Sequence, residues 1–67
     1  METLGEALPK EQARVREVLG HFKAIGPAGA IGAFMIEASL RAADQAIISG
    51  DLVAMLRAYE ALKGWQA

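Results

Sequence analysis

Gly26-Pro27-Ala28-Gly29-Ala30-Ile31-Gly32-Ala33 is the stretch on which the fold turns. It lies between two amphipathic helical patterns and runs straight into Phe34-Met35-Ile36-Glu37. Gly26-Pro27 predicts the end of one helix and the start of the next. A residue before proline is pushed out of the helical region, and proline suits a first helical position. Three glycines and three alanines in these eight residues strip that helix entrance of side chains. Glycine costs roughly 1 kcal/mol relative to alanine inside a helix. A bare surface of this kind predicts a close neighbour, either another backbone or a ligand reaching main-chain N–H groups.

Upstream, Val15, Val18, Leu19, Phe22 and Ile25 recur at helical period. With Pro9 as first residue and Glu11 in the first turn, they predict helix 1 over about 9–25, preceded by an arm at 1–8. Helix 2 is expected over about 27–48. Ile36, Leu40, Ala43 and Ile47 form its core stripe; Ile31, Met35, Ala38 and Ala42 form a neighbouring one. Ala30, Ala33, Glu37, Arg41 and Asp44 are left for the remaining face. Ser49-Gly50-Asp51 is the clearest punctuation: Gly50 suits the left-handed residue after a helix and Asp51 the next N-cap. Helix 3 is then expected over about 52–63, with Leu52, Met55, Leu56, Tyr59 and Leu62 inward and Arg57, Glu60 and Lys63 as an outer charge ladder. Phe34 and Tyr59 are read as buried, and Trp65 as either core or interface. The fold class is all-α: one domain of three helices, a helical hairpin plus a third.

Sixty-seven residues can bury only about 60% of the unfolded surface, so such a domain is marginal alone. No cysteine is present and there is one histidine, which excludes disulfides, thiolate metal sites and a histidine zinc cluster. Yet 54% of the residues are hydrophobic. Self-association is the support that remains, and a homo-oligomer is expected. Seven basic against eight acidic residues give a net charge of −1, without the basic excess that nucleic-acid binding uses. The longest uncharged run, Ala24 to Ile36, is too short to span a bilayer and is broken by glycine and proline. No basic-then-apolar leader opens the sequence. The expectation is a cytoplasmic protein without a membrane partner.

Two constellations carry candidate chemistry. Unpaired N–H groups at a helix start bind anions, so Gly29, Ala30 and Gly32 are candidates to present backbone to a ligand. Gly29, Gly32 and Ala33 are also spaced for a tight helix crossing. The run is neither a dinucleotide fingerprint nor a P-loop. Glu37, Arg41 and Asp44 share one face of helix 2 at steps of four and three. Either they are a solvated charge run, or Arg41 grips a phosphate or carboxylate with two parallel hydrogen bonds, aided by Lys23. Glu37 and Asp44 would then recognise donors or hold Arg41. His21, Ser39 and Ser49 sit in no nucleophile motif, and no catalytic residue, metal site or cofactor is expected.

Leu4-Gly5-Glu6, Pro9-Lys10-Glu11-Gln12-Ala13-Arg14, Gly26-Pro27-Ala28-Gly29-Ala30 with Gly32-Ala33 and Met35-Ile36-Glu37, Arg41-Ala42-Ala43-Asp44 and Ser49-Gly50-Asp51-Leu52-Val53-Ala54-Met55 form a pattern along nearly the whole chain. It resembles a group of small proteins encoded by tailed bacteriophages and prophages. The resemblance implies a setting, the cytoplasm of a bacterial host, and no chemistry. Small proteins of that setting commonly act by binding. The first functional expectation is sequestration of an anionic nucleotide-type signal of host immunity, a cyclic nucleotide or ADP-ribose derivative, in a pocket closed by an oligomer interface. The second is a protein–protein inhibitor of a host factor such as a transcription regulator, quorum-sensing receptor or ATPase.

Overall fold

The first helix begins earlier than Pro9 suggests, because a capping box lies upstream of it. The computed structural model describes residues 2–66; Met1, at the tip of the predicted arm, and Ala67 fall outside it. Thr3 Oγ1 accepts from Glu6 N at 3.2 Å and Glu6 Oε1 accepts from Thr3 N at 3.4 Å. These reciprocal bonds satisfy two orphan donors of a helix start. Helix α1 therefore spans Leu4–Ala24, and residues 4–8 of the predicted arm are its first turn and a half. Pro9 stands inside it, lacking only the bond it would have donated to the Gly5 carbonyl. What offsets that loss is burial: Leu8 is fully buried, and Leu4 packs against the core.

Gly26 ends α1 at φ 87°, a backbone region open to glycine alone. Pro27–Gly29 form one 3₁₀ turn rather than the start of the long helix, and α2 spans Ala30–Ser49. Gly50 closes α2 in the left-handed conformation at φ 69°. Asp51 then accepts from Val53 N at 2.9 Å and Ala54 N at 3.2 Å, and α3 spans Leu52–Lys63 as the sequence predicts. The product is an all-α, three-helix fold with no strand among the described residues. Its Cα extents are 37 × 22 × 15 Å.

The core is Leu8, Val15 and Val18 of α1, Ile36, Leu40, Ala43 and Ala46 of α2, and Met55, Ala58 and Leu62 of α3. Fully burying a side chain such as Leu8, Val15, Ile36 or Leu62 contributes about 1.5–3 kcal/mol each. One expected stripe of α2 is thus inside, with Ala46 replacing Ile47 and Ala33 joining it. The other stripe, Ile31, Met35, Ala38 and Ala42, is exposed. The reason is geometric: α1 and α3 both cover the Ile36 side, and no fourth element covers the opposite side. Phe34, Leu52 and Leu56 are exposed for the same reason, against the sequence expectation. Ile25, the residue that follows α1, is also exposed.

The third helix is fastened by a residue with no signature in the sequence. Arg14 Nη1 donates to the Trp65 carbonyl at 2.8 Å and Nη2 to the Leu62 carbonyl at 3.0 Å. Glu11 holds the guanidinium at 3.0 and 3.1 Å, and this hydrogen bonding raises the Arg14 pKa. A cation on the last carbonyls of a helix also complements its dipole. The predicted ladder of Arg57, Glu60 and Lys63 forms no ion pair among the described residues; Lys63 instead lies 5.5 Å from the Tyr59 ring centroid.

Two glycines separate packing from propensity. A Cβ on Gly29 would lie 2.1 Å from the Phe22 carbonyl oxygen, whereas a Cβ on Gly20 would meet nothing within 4 Å. Gly29→Ala is expected to lose about 1–3 kcal/mol in denaturant unfolding, as overpacked sites do. Gly20→Ala is expected to gain up to about 1 kcal/mol. Equal effects of the two substitutions would show that the Gly29 contact is not maintained.

Candidate interaction surface

The seven residues singled out by sequence do not surround a cavity. Gly29 is buried beneath the last turn of α1, its Cα side filled by the Phe22 carbonyl and Ile25 Cβ. Gly32 lies beneath the Phe22 ring, where an added Cβ would come within 2.5 Å of the ring carbons. The small-residue entrance is therefore used inside the chain, to bring α1 and α2 together. Ala30 is exposed beside it. Phe22 in turn meets Trp65 edge-to-face, ring centroids 6.1 Å apart at 87°. Trp65 Nε1 donates to Ser39 Oγ at 3.4 Å, and Ser39 Oγ donates to the Met35 carbonyl at 3.1 Å. The carboxyl-terminal tryptophan thus belongs to the core edge.

The charged candidates divide between two directions. Glu37 Oε1 lies 3.5 Å from Lys23 Nζ, a partly exposed pair that ties α2 to α1. Asp44 Oδ1 accepts from Nε2 of the buried Gln12 at 2.8 Å, satisfying the one buried polar side chain of the described residues. Burying that amide without a partner would cost about 1–3 kcal/mol. Arg41 points to solvent and makes no hydrogen bond or ion pair among the described residues. Lys23, Glu37 and Asp44 are thus structural, and Arg41 alone of the charged set is free.

What the molecule does present is apolar helix surface. Nine large hydrophobic side chains are exposed among the described residues. Ile31, Phe34, Met35 and Ile48 lie on the outward side of α2, with Ile31 79%, Phe34 69% and Ile48 78% exposed. Ala38 and Ala42 lie between them, and Arg41 and Gln45 are the polar members of that side. From Ile31 to Ile48 the face is about 25 Å long at the helical rise. Beside it, between α2 and α3, runs a shallow groove of about 440 Å³ walled by Ala38, Ala42, Ala54, Ala58 and Ala61 with Arg57 at its rim. A further group, Ile47, Leu52, Val53 and Leu56, lies around the α2–α3 junction. Scattered apolar residues are ordinary on a surface, but contiguous ones mark an interaction site.

Other site types have less to build on. No group of three His, Cys, Asp or Glu among the described residues could hold a metal ion. No described helix is long and apolar enough to cross a membrane. No protein-family model, curated protein or solved structure matches the chain.

If the outward side of α2 is free of any intramolecular role, polar substitutions there leave folding intact. Ile31→Ser and Phe34→Ser are expected to change the unfolding free energy by less than about 0.5 kcal/mol. Phe22→Ala, which removes the ring over Gly32 and beside Trp65, is expected to cost about 3 kcal/mol. Thermal melts read by circular dichroism, at concentrations low enough to exclude self-association, distinguish these cases, and a large loss at Phe34 under those conditions would place that ring in the core.

Proposed function

We propose that this chain is a non-catalytic protein-binding module that acts by docking apolar helix surface onto a protein partner. The observation that carries the reading is the nine exposed large hydrophobic residues on a body of 7.1 kDa. A specific protein interface buries roughly 800 Å² per partner and is anchored by a few large apolar side chains. Leu52, Val53 and Leu56, on the first two turns of α3, form a compact anchor beside the α2–α3 turn. Asp51 caps that helix, so its backbone is already ordered before docking. The non-catalytic part of the reading is supported by the use of polar groups between elements: Gln12, Arg14 and Trp65 Nε1 are committed to bonds that hold the helices and the segment after α3 together. The resemblance to small phage proteins favours a bacterial host protein as the partner.

Sequestration of a nucleotide-type signal has narrower support. The α2–α3 groove is of ligand size, but its wall is alanine apart from Ser39, and its cation is Arg57 alone. The helix entrance that would cradle a phosphate is covered by Phe22.

A photo-crosslinking residue at Leu52, in bacteria expressing the protein, is expected to trap one partner of defined mass. Leu56→Glu should abolish that adduct, while the same probe at exposed Arg16 should give none. Identical products from both positions, or an adduct indifferent to Leu56→Glu, would overturn the reading. Nucleotides and ADP-ribose derivatives are expected to leave the melting temperature unmoved; a clear rise would favour ligand binding, which stabilises the folded state alone.

A further inference from the structure

We infer that the outward side of α2 is the interface of a two-fold dimer, in which α2 runs antiparallel to α2 of a second copy and Arg41 of each chain pairs with Glu37 of the other. The inference rests on the proposed reading that exposed apolar helix surface is protein interface, and it assigns one part of that surface to self-association.

Three independent pairs of positions share one centre. Ala38 and Ala42 are symmetric about Leu40, Glu37 and Arg41 about Ser39, and Ile31 and Ile48 about the point between those two residues. A two-fold axis perpendicular to α2 at that level satisfies all three pairs to within about one residue's rise of 1.5 Å. It sets Ala38 against Ala42 of the other copy, so the backbones approach closely where side chains are smallest. It sets the bulky Ile31 and Phe34 end of one helix beside the Ile48 end of the other. The same axis keeps each edge of α2 against the same edge of its mate. Glu37, beside Lys23 of α1, and Arg41, one turn further on, are about 40° apart around α2, so the axis brings them level as unlike charges, twice. A parallel dimer would place that edge of one helix beside the opposite edge of its mate, so Glu37 and Arg41 would not meet. The other carboxylate of α2, Asp44, is held toward α1 by its bond from Gln12.

Ile31, Phe34, Met35 and Ile48 are each more than half exposed in the single chain, and this contact would cover all four. An isologous contact of this kind is closed, so it stops at two copies.

Sedimentation equilibrium of the whole chain is expected to give the dimer mass. Ala42→Glu, at a position exposed in the single chain, should weaken association at least about 100-fold with helical content retained, since it buries two uncompensated carboxylates at the axis. Arg41→Glu should weaken it about tenfold, and Arg41→Glu with Glu37→Arg should restore most of that loss. The chain has no cysteine, so Ala38→Cys and Ala42→Cys serve as clean probes of register. Mixed and oxidised, they should cross-link to each other in preference to themselves. A monomer at all concentrations, a dimer unaffected by Ala42→Glu, or preferential Ala38→Cys self-linkage would overturn the inference. A monomer that still forms the Leu52 adduct would defeat the dimer and leave the proposed function standing; a dimer with no such adduct would do the reverse.

Discussion

The contact of Phe22 with Gly29 and Gly32 is the constraint on which the rest of the structure depends. The chain must reverse direction between α1 and α2 with one 3₁₀ turn. It can do so only if the last turn of α1 sits directly on the first turn of α2. Gly29 admits the Phe22 carbonyl and Gly32 admits the Phe22 ring, and neither position has room for a Cβ. Once Phe22 is seated there, its ring forms the wall against which Trp65 closes. Trp65 and Leu62 supply the carbonyls that Arg14 reaches. One close approach thus sets the α1–α2 angle, and through it the seat of α3.

Much of this was legible in the sequence, and the limits were physical. The α2–α3 junction is encoded locally: a left-handed Gly50 and a capping Asp51 need no tertiary information, and helix 3 falls where they place it. The small-residue entrance was also legible as a place of close approach. Its occupant was not, because spacing alone does not say whether the incoming group is a ligand, another chain or Phe22. The start of α1 was obscured by a conflict between two local signals. Pro9 reads as a first residue, yet the Thr3–Glu6 box and the burial of Leu8 outweigh one lost backbone bond. The Arg14 clamp spans 48 and 51 residues of sequence and leaves no periodic trace.

The reading of α2 failed in an instructive way. A helix with apolar residues on two adjacent stripes looks like the centre of a bundle. In this fold it has neighbours on one side only, and periodicity cannot count neighbours. The same ambiguity separated Glu37, Arg41 and Asp44. They share a helix face by spacing, but Gln12 and Lys23 of α1 draw Asp44 and Glu37 aside and leave Arg41 alone.

That asymmetry bears on why α2 keeps an apolar outward side at all. A lone three-helix domain gains nothing in its own fold from Ile31, Phe34 and Ile48, since they touch no core. Exposed apolar residues invite non-specific association, and substitution by lysine or glutamate would remove that hazard without disturbing the interior. The chain instead places charge on the far sides of α1 and α3 and leaves this side with Arg41, and with Glu37 at its edge toward α1. A surface that were merely tolerated would not be expected to put small residues at its middle and large ones at both ends. Nor would it set a cation and a carboxylate one helical turn apart about the same centre. Composition can be accidental, but a shared centre of symmetry in bulk and in charge is what a self-complementary contact requires. The side of α2 that contributes nothing to the monomer is therefore accounted for by the contact it can make with its own copy.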